Sequence, residues 1–110
     1  MWVKTRDGYH NLQMCRSIRY GLTHAPDPNH EPGTPSRDLN SGFVNLYYGT
    51  QRDGQNSYTD SVTVVEIRPS EEAGKQLQDE LHKLDAVLRG ESELWDVTEL
   101  SPIPGKKAHY

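Results

Sequence analysis

The sequence predicts an α+β domain, in which an antiparallel meander of four or five strands carries one C-terminal amphipathic helix on one face. Two observations predict this class. Short segments rich in β-branched and aromatic residues are separated by Asp-Gly turns, and one later segment repeats its apolar residues with a helical period. Because 110 residues are enough for only one core, we expect a single domain over residues 1–100 and a tail over residues 101–110.

Three strands are predicted close to the start of the chain. The segment MWVKT has strand-forming residues, Asp7-Gly8 is typical of a tight reversal, and YHNL fits the short return strand. RSIRYGL then predicts a third strand. Residues 24–41 have no periodicity and contain four prolines, each of which removes a backbone donor, so we expect a long loop there.

Residues 43–67 are the clearest hairpin in the sequence. FVNLYYG alternates in the manner of a strand, the turn segment TQRDGQNS contains a second Asp-Gly, and YTDSVTVVEI returns. Apolar residues occupy both faces of the returning strand, since strand alternation places Val62 and Val64 on the face opposite Val65 and Ile67. A β-bulge or a cover on both faces of the sheet would explain this pattern.

One amphipathic helix is predicted over residues 70–89. Pro69 ends the preceding strand, Ser70 is expected to cap the first amides, and Gly90 is a natural terminator. The apolar stripe recurs at spacings of three and four and comprises Ala73, Leu77, Leu81, Leu84 and Leu88. The following segment ELWDVTEL fits a short strand or a short helix, and we favour a short strand or extended segment that packs Trp95 against the sheet.

Charge and cysteine content exclude several classes of protein. The net charge is −4, and residues 66–100 carry ten acidic side chains against four basic ones, which disfavours nucleic acid as a partner. A single cysteine allows no internal disulfide framework, so a reduced, cytoplasmic setting is expected. No run of eighteen apolar residues occurs, and we therefore expect no association with a membrane.

The stretch CRSIRYGLTHAPDPNHEPG is the best candidate for a metal or catalytic site, because it contains the single cysteine and two of the histidines. Cys15, His24 and His30 are residue types that bind zinc, although zinc ligands usually occur in closer pairs than these. The alternative is a solvated loop with a small buried cysteine beside it. A nucleophilic Cys15 paired with His10 has no activating feature, and neither a G-x-S-x-G elbow nor a phosphate-binding glycine loop is present. We therefore expect no enzyme and no cofactor.

Large aromatic residues are the best candidates for contacts with a partner. They are Trp2, Tyr47, Tyr48, Tyr58 and Trp95, and each is equally suited to the core or to a cross-strand pair. Only 33% of the residues are apolar, so pairing of two copies would supplement a small core. The sequence thus favours a non-enzymatic protein-interaction or assembly module that forms a homodimer through its sheet. The alternative is a metal- or small-ligand-binding protein that uses Cys15, His24 and His30.

Two stretches, MWVKTRDGYHNLQMCRSIRY and PSEEAGKQLQDEL, resemble a loose group of small bacterial proteins of unknown function. Those proteins begin with a strand, a D-G or N-G turn and a second strand, and they close with an acidic helix. The resemblance covers about half of the chain, which departs from the group at residues 24–41 and after Gly90. It implies an antiparallel sheet backed by one C-terminal helix, and no activity or functional residue.

Overall fold

The described part of the chain forms six strands in two sheets and one helix. The computed structural model describes residues 1–27, 31–33, 38–54 and 56–103, without the side chains of residues 38, 50–53 and 56–59. The elements are β1 (Trp2–Thr5), β2 (Gly8–Asn11), a 3-10 turn (Leu12–Met14), β3 (Ser17–Pro26), β4 (Asp38–Asp53), β5 (Asn56–Ser70), α1 (Ala73–Leu88) and β6 (Leu94–Asp96). The predicted α+β class is confirmed.

The predicted single meander of four or five strands is wrong in its strand count, because the strands divide into two sheets of three. The antiparallel meander contains only β3, β4 and β5, whereas β1 lies between β2 and β6 in a second sheet. The 3-10 turn at Leu12–Met14 separates β2 from β3, so the chain leaves one sheet before it enters the other. β1 pairs with β2 in antiparallel fashion through a tight turn at Arg6 and Asp7, one residue earlier than the predicted Asp7-Gly8, because Gly8 already pairs with Thr5. β1 pairs with β6 in parallel, Val3 lying opposite Trp95.

The connection between β3 and β4 is shorter than the predicted loop over residues 24–41. β3 continues to Pro26, which pairs with Asp38 at the start of β4, and the intervening register is unbroken from Ser17 opposite Tyr47. A proline at the end of an edge strand costs little, because its missing N–H would otherwise face solvent. Residues 24–26 and 38–41, at the two ends of the predicted loop, therefore belong to the sheet in spite of Pro26.

A β-bulge explains the apolar residues on both faces of β5. Val44 lies opposite Val65, whereas the next residue of β4, Asn45, lies opposite Thr63, so Val64 is the extra residue. The side chains of Val64 and Val65 are both fully buried in the core. The outer face of the sheet at this point carries a polar pair, in which the Thr63 hydroxyl donates to Asn45 Oδ1 at 2.7 Å.

The helix is slightly shorter than residues 70–89, and Ser70 does not cap it. Ser70 is still paired with Asn40 in the sheet, its buried hydroxyl has no hydrogen-bond partner within the described residues, and Glu72 precedes the first helical residue. The predicted stripe is buried at Ala73, Leu77 and Leu84. Toward the end of the helix it turns, so that Val87 is buried whereas Leu88 is exposed. No helix in the described part of the chain has the length and apolar character needed to cross a membrane.

A buried carboxylate connects the helix to the second sheet. Glu80, only 8% exposed, lies on the inner side of α1, where its Oε2 accepts a hydrogen bond of 2.9 Å from the indole N–H of Trp95. Its other oxygen accepts a hydrogen bond of 3.2 Å from the Lys83 ammonium group. Trp95 itself is 1% exposed and shares one core cluster with Val3 and the residues of the meander. The helix therefore covers both sheets at once.

Replacement of Trp95 by Phe tests this connection. The variant keeps most of the apolar bulk but removes the N–H, which leaves a buried Glu80 oxygen without its donor, and we expect a loss of about 1–3 kcal/mol in the free energy of unfolding. Urea unfolding followed by circular dichroism measures it. Trp2→Phe is the matched control, because Trp2 is 45% exposed and its replacement is expected to change stability by less than about 0.5 kcal/mol. Equal effects of the two changes would contradict the assigned role of the Glu80–Trp95 bond.

Candidate interaction surfaces

The structure places two of the predicted metal ligands, Cys15 and His24, far apart. Cys15 precedes β3 and His24 lies near its far end; because a strand rises about 3.3 Å per residue, the seven steps from Ser17 to His24 alone span roughly 23 Å. His30 lies outside the described residues. Within the part of the chain that is described, no group of three or more His, Cys, Asp or Glu side chains is placed to hold a metal ion.

Cys15 is engaged with the backbone rather than with a histidine. Its Sγ lies 3.0 Å from the carbonyl oxygen of Ser17 and 3.4 Å from that of Tyr47, as a thiol donor does. Tyr48 packs against the same core, and its hydroxyl lies 3.5 Å from the carbonyl oxygen of Asn11. Burial raises the pKa of the Tyr48 hydroxyl above its ordinary value, with further contributions from Cys15 and Asp60. These contacts fasten β4 to the turn after β2.

His10 belongs to a polar cluster at the end of the β1–β2 hairpin, which the sequence patterns had not indicated. The buried Thr5 hydroxyl donates to the Asp7 carboxylate, and it lies 3.3 Å from His10 Nε2. The same imidazole nitrogen lies 3.4 Å from Asp7 Oδ1. A relay from a hydroxyl to a base to a carboxylate needs the two imidazole nitrogens to face different groups, so this cluster lacks the order of a catalytic triad.

Neighbouring contacts give the cluster a structural purpose. The Arg6 backbone N–H donates to the Ser101 hydroxyl at 3.0 Å, and the Arg6 guanidinium group donates to the carbonyl oxygens of Ser101 and Glu99. Ser101 is buried. The β1–β2 turn thus holds the segment that follows β6, and residue 101, predicted as the first residue of a tail, packs with the domain.

The five aromatic candidates occupy different environments. Trp95 is buried in the core, where a partner cannot touch it, and Tyr48 packs inward as the extra residue of a second irregularity in β4. Tyr47 is half-buried on the outer face of the meander, with the Arg19 guanidinium group 4.6 Å from its ring centre. Trp2 is exposed, and the side chain of Tyr58 lies outside the described part of the chain.

Two surfaces combine exposed apolar side chains. The first, here called the β3 edge surface, consists of Ile18, Tyr20 and Leu22 on β3 and the adjoining side of α1; Tyr20 is 57% exposed and Leu22 is 46% exposed. The second, here called the Trp2 groove, is an open groove of about 430 Å³ lined by Trp2, Tyr9, Glu93 and Leu94. Alternation along a strand could have indicated from the sequence that Tyr20 and Leu22 share one face. Only the strand order in the sheet shows that β3 is an edge strand.

The helix side of the β3 edge surface follows from helical geometry. A Cβ atom on Gly74 would lie 3.5 Å from Leu22 Cδ1, so the first turn of α1 lies directly against this strand. Leu81 and Leu88, each seven residues further on, lie on the same side of the helix. Leu81 is half-buried and Leu88 is 45% exposed. The border between β3 and α1 is therefore apolar at the first turn of the helix, and Leu81 and Leu88 continue the apolar side of α1 beyond it.

In comparisons with known proteins, no family model, no curated protein and no solved structure matches the chain. The resemblance to a group of small bacterial proteins accordingly consists of short motifs alone.

The Thr5–Asp7 contact predicts a titration that two parallel variants can test. The hydrogen bond from Thr5 lowers the pKa of Asp7 below its ordinary value; burial opposes this effect, and His10 adds to it. Thr5→Val is expected to raise the pKa of Asp7 toward the ordinary value. Because the folded-state pKa is the lower one, stabilisation by the Asp7 carboxylate is present above the unfolded-state pKa and is lost as the pH falls through the folded-state value. Carboxyl-carbon NMR titration measures the shift.

Asp96 supplies the internal control for this titration. Its pKa is also lowered, mainly by hydrogen bonds from the Thr98 hydroxyl and backbone N–H, the hydroxyl lying 2.6 Å from Oδ1. Thr98→Val is expected to raise the pKa of Asp96 and to leave Asp7 unchanged, and Thr5→Val is expected to do the reverse. An Asp7 titration that Thr5→Val does not move would refute the assigned cause.

Proposed function

We propose that this chain is a non-enzymatic, cytoplasmic assembly module that forms a homodimer by antiparallel pairing of β3 with β3 of a second copy. The observation that carries the proposal is a ten-residue edge strand, β3, flanked by the exposed apolar side chains of Tyr20 and Leu22. An edge of this kind presents a row of backbone donors and acceptors that a second strand can satisfy.

The other sheet edges are less suited to pairing. β5 is the opposite edge of the meander, and the Glu66 backbone N–H already donates to the carbonyl oxygen of Leu100 at 2.7 Å. β2 and β6 are the edges of the second sheet, but they have only four and three residues. β3 offers a longer edge, and from Tyr20 to Pro26 it contains no Asp, Glu, Lys or Arg of the kind that protects exposed edges.

The side chains of β3 are compatible with a twofold axis. Tyr20 and Leu22 point toward the helix side of the sheet, because their partners across the strand pair are Val44 and Gly42, both buried beneath α1. If two copies of β3 pair with Gly21 at the axis, Tyr20 of each copy lies opposite the other copy's Leu22, and cross-strand pairs of this type stabilise sheets. The result would be a continuous six-stranded sheet with both helices on the same side.

The expected affinity follows from the size of the contact. One pair of strands lies at the lower end of the area range of specific interfaces, and the apolar side of α1 near Leu81 and Leu88 would enlarge it. We therefore expect a dissociation constant in the micromolar range, about −8 kcal/mol. Such a dimer exchanges readily, which suits a module that assembles reversibly.

Tyr20→Lys tests the proposed interface. The substitution places an ammonium group opposite the partner's Leu22 in both halves of the dimer, so we expect the dissociation constant to rise at least about tenfold, or 1.4 kcal/mol. Tyr9→Lys is the matched control, since Tyr9 is 61% exposed but lies on the second sheet, and we expect it to leave the dimer intact. Sedimentation equilibrium over a range of concentrations measures both, with circular dichroism to establish that each variant folds.

Two results would overturn the proposal. A wild-type chain that stays monomeric up to about 1 mM would lack even an interface of −4 kcal/mol. A dimer that Tyr20→Lys does not weaken would pair through another surface.

A further inference from the structure

The Trp2 groove combines two aromatic rings, an aliphatic side chain and a carboxylate. Trp2 lies opposite Leu94 of β6 in the parallel pair, and Tyr9 of β2 lies opposite Lys4, which places Tyr9 diagonally across from Trp2 on the same face. Glu93 is held beside them because its carbonyl oxygen accepts a hydrogen bond of 3.0 Å from the Trp2 backbone N–H. Val3 follows Trp2 on β1, Trp95 follows Leu94 on β6, and both point to the core. Because side chains alternate along a strand, Trp2 and Leu94 therefore point outward.

The groove carries an uncompensated negative charge. The Glu93 side chain makes no hydrogen bond or ion pair with any residue that the structure describes, and Glu91 nearby is 3.5 Å from the Arg89 guanidinium group. The positive charge of Lys4 on the same face is opposed by Asp96, whose pKa Lys4 helps to lower. The faces of aromatic rings are themselves electronegative, so the rings and the carboxylate attract the same kind of ligand.

We propose that the Trp2 groove binds a small organic cation of the methylated-ammonium class. A quaternary ammonium group satisfies each feature of the lining: its charge faces the rings of Trp2 and Tyr9 and the carboxylate of Glu93, and its methyl groups bury apolar surface against Leu94. The groove volume of about 430 Å³ falls within the range of roughly 300–1,000 Å³ that small-molecule sites occupy. A bare ammonium ion is more strongly hydrated and brings no apolar surface, so the groove discriminates against it.

The two tryptophans provide a built-in reporter and reference. Trp2 lines the groove, whereas Trp95 is buried and its indole N–H is occupied by Glu80. Titration with tetramethylammonium chloride, followed by ¹H–¹⁵N NMR, is expected to shift the Trp2 indole signal in a saturable manner and to leave the Trp95 indole signal in place. Because the groove is open, the dissociation constant is expected in the millimolar range, about −4 kcal/mol. Ammonium chloride at equal ionic strength and neutral tert-butanol are the controls for charge and for apolar bulk.

Two variants separate the contribution of the Glu93 charge to binding from that of the Trp2 ring. Glu93→Gln keeps the shape and removes the charge, and it is expected to weaken tetramethylammonium binding about two- to fivefold. Trp2→Leu removes one ring and is expected to weaken binding at least about fivefold, as read from the Tyr9 and Leu94 signals. The unchanged Trp95 indole signal in each variant shows that the fold is intact. Tyr20→Lys, which addresses the proposed dimer, is expected to bind as the wild type does.

The proposal is overturned if tert-butanol or ammonium chloride produces the same saturable shift, or if Glu93→Gln has no effect, because the groove would then be an apolar surface without charge selectivity. It is also overturned if a peptide that contains trimethyllysine binds about a hundredfold more tightly than tetramethylammonium. That result would make the groove part of an interface with a protein rather than a site for a small molecule.

Discussion

The structure depends on one constraint: a single helix has to cover two sheets. Leu77, Leu84 and Val87 pack into one cluster that contains residues of the meander and of the second sheet. The Glu80–Trp95 hydrogen bond fixes α1 against β6, and β6 in turn extends β1. A carboxylate buried in this way is tolerable because both oxygens are bonded, one of them to the Lys83 ammonium group. Val3 of the second sheet belongs to the same core cluster, so it is buried against residues of both α1 and the meander.

The parts of the fold that could be predicted from the sequence are those whose cause is local. The tight reversal after β1 and the leucine period of α1 depend on residues close together in the chain, and the sequence predicted both, the reversal within one residue of its position. The parallel pairing of β1 with β6 joins residues about ninety positions apart and has no local signal. Glu80 illustrates the same limit, since a carboxylate within an acidic helix indicates the solvent face, and only its distant partner Trp95 makes burial favourable.

The candidate sites show how strand register decides what composition leaves open. Trp2 and Trp95 are the same residue type on neighbouring strands, but Trp95 lies opposite Val3 in the parallel pair and shares its inward orientation, whereas Trp2 shares that of Leu94. A shift of β6 by one residue would turn Trp95 outward and Leu94 inward, while Trp2 would keep its orientation. Register also bears on the metal hypothesis: that hypothesis needs His24 close to Cys15, and the pairing of β3 with β4 holds His24 near the far end of the strand that follows Cys15.

The bulge at Val64 changes where self-association would have to occur. If β5 were regular, Val64 would alternate with the inward-facing Val65 and would point outward. The outer side of the sheet would then need a cover. With Val64 and Val65 both buried, that side carries the bonded pair of Thr63 and Asn45, the charged Glu66 and two rings that are already half-buried, Phe43 and Tyr47. The apolar surface that stays in water on the meander lies along its first strand, at Tyr20 and Leu22. Backbone groups at an edge also need partners, so pairing of edges satisfies both requirements, whereas stacking of the outer faces would leave the edge groups of β3 and its two exposed side chains in water.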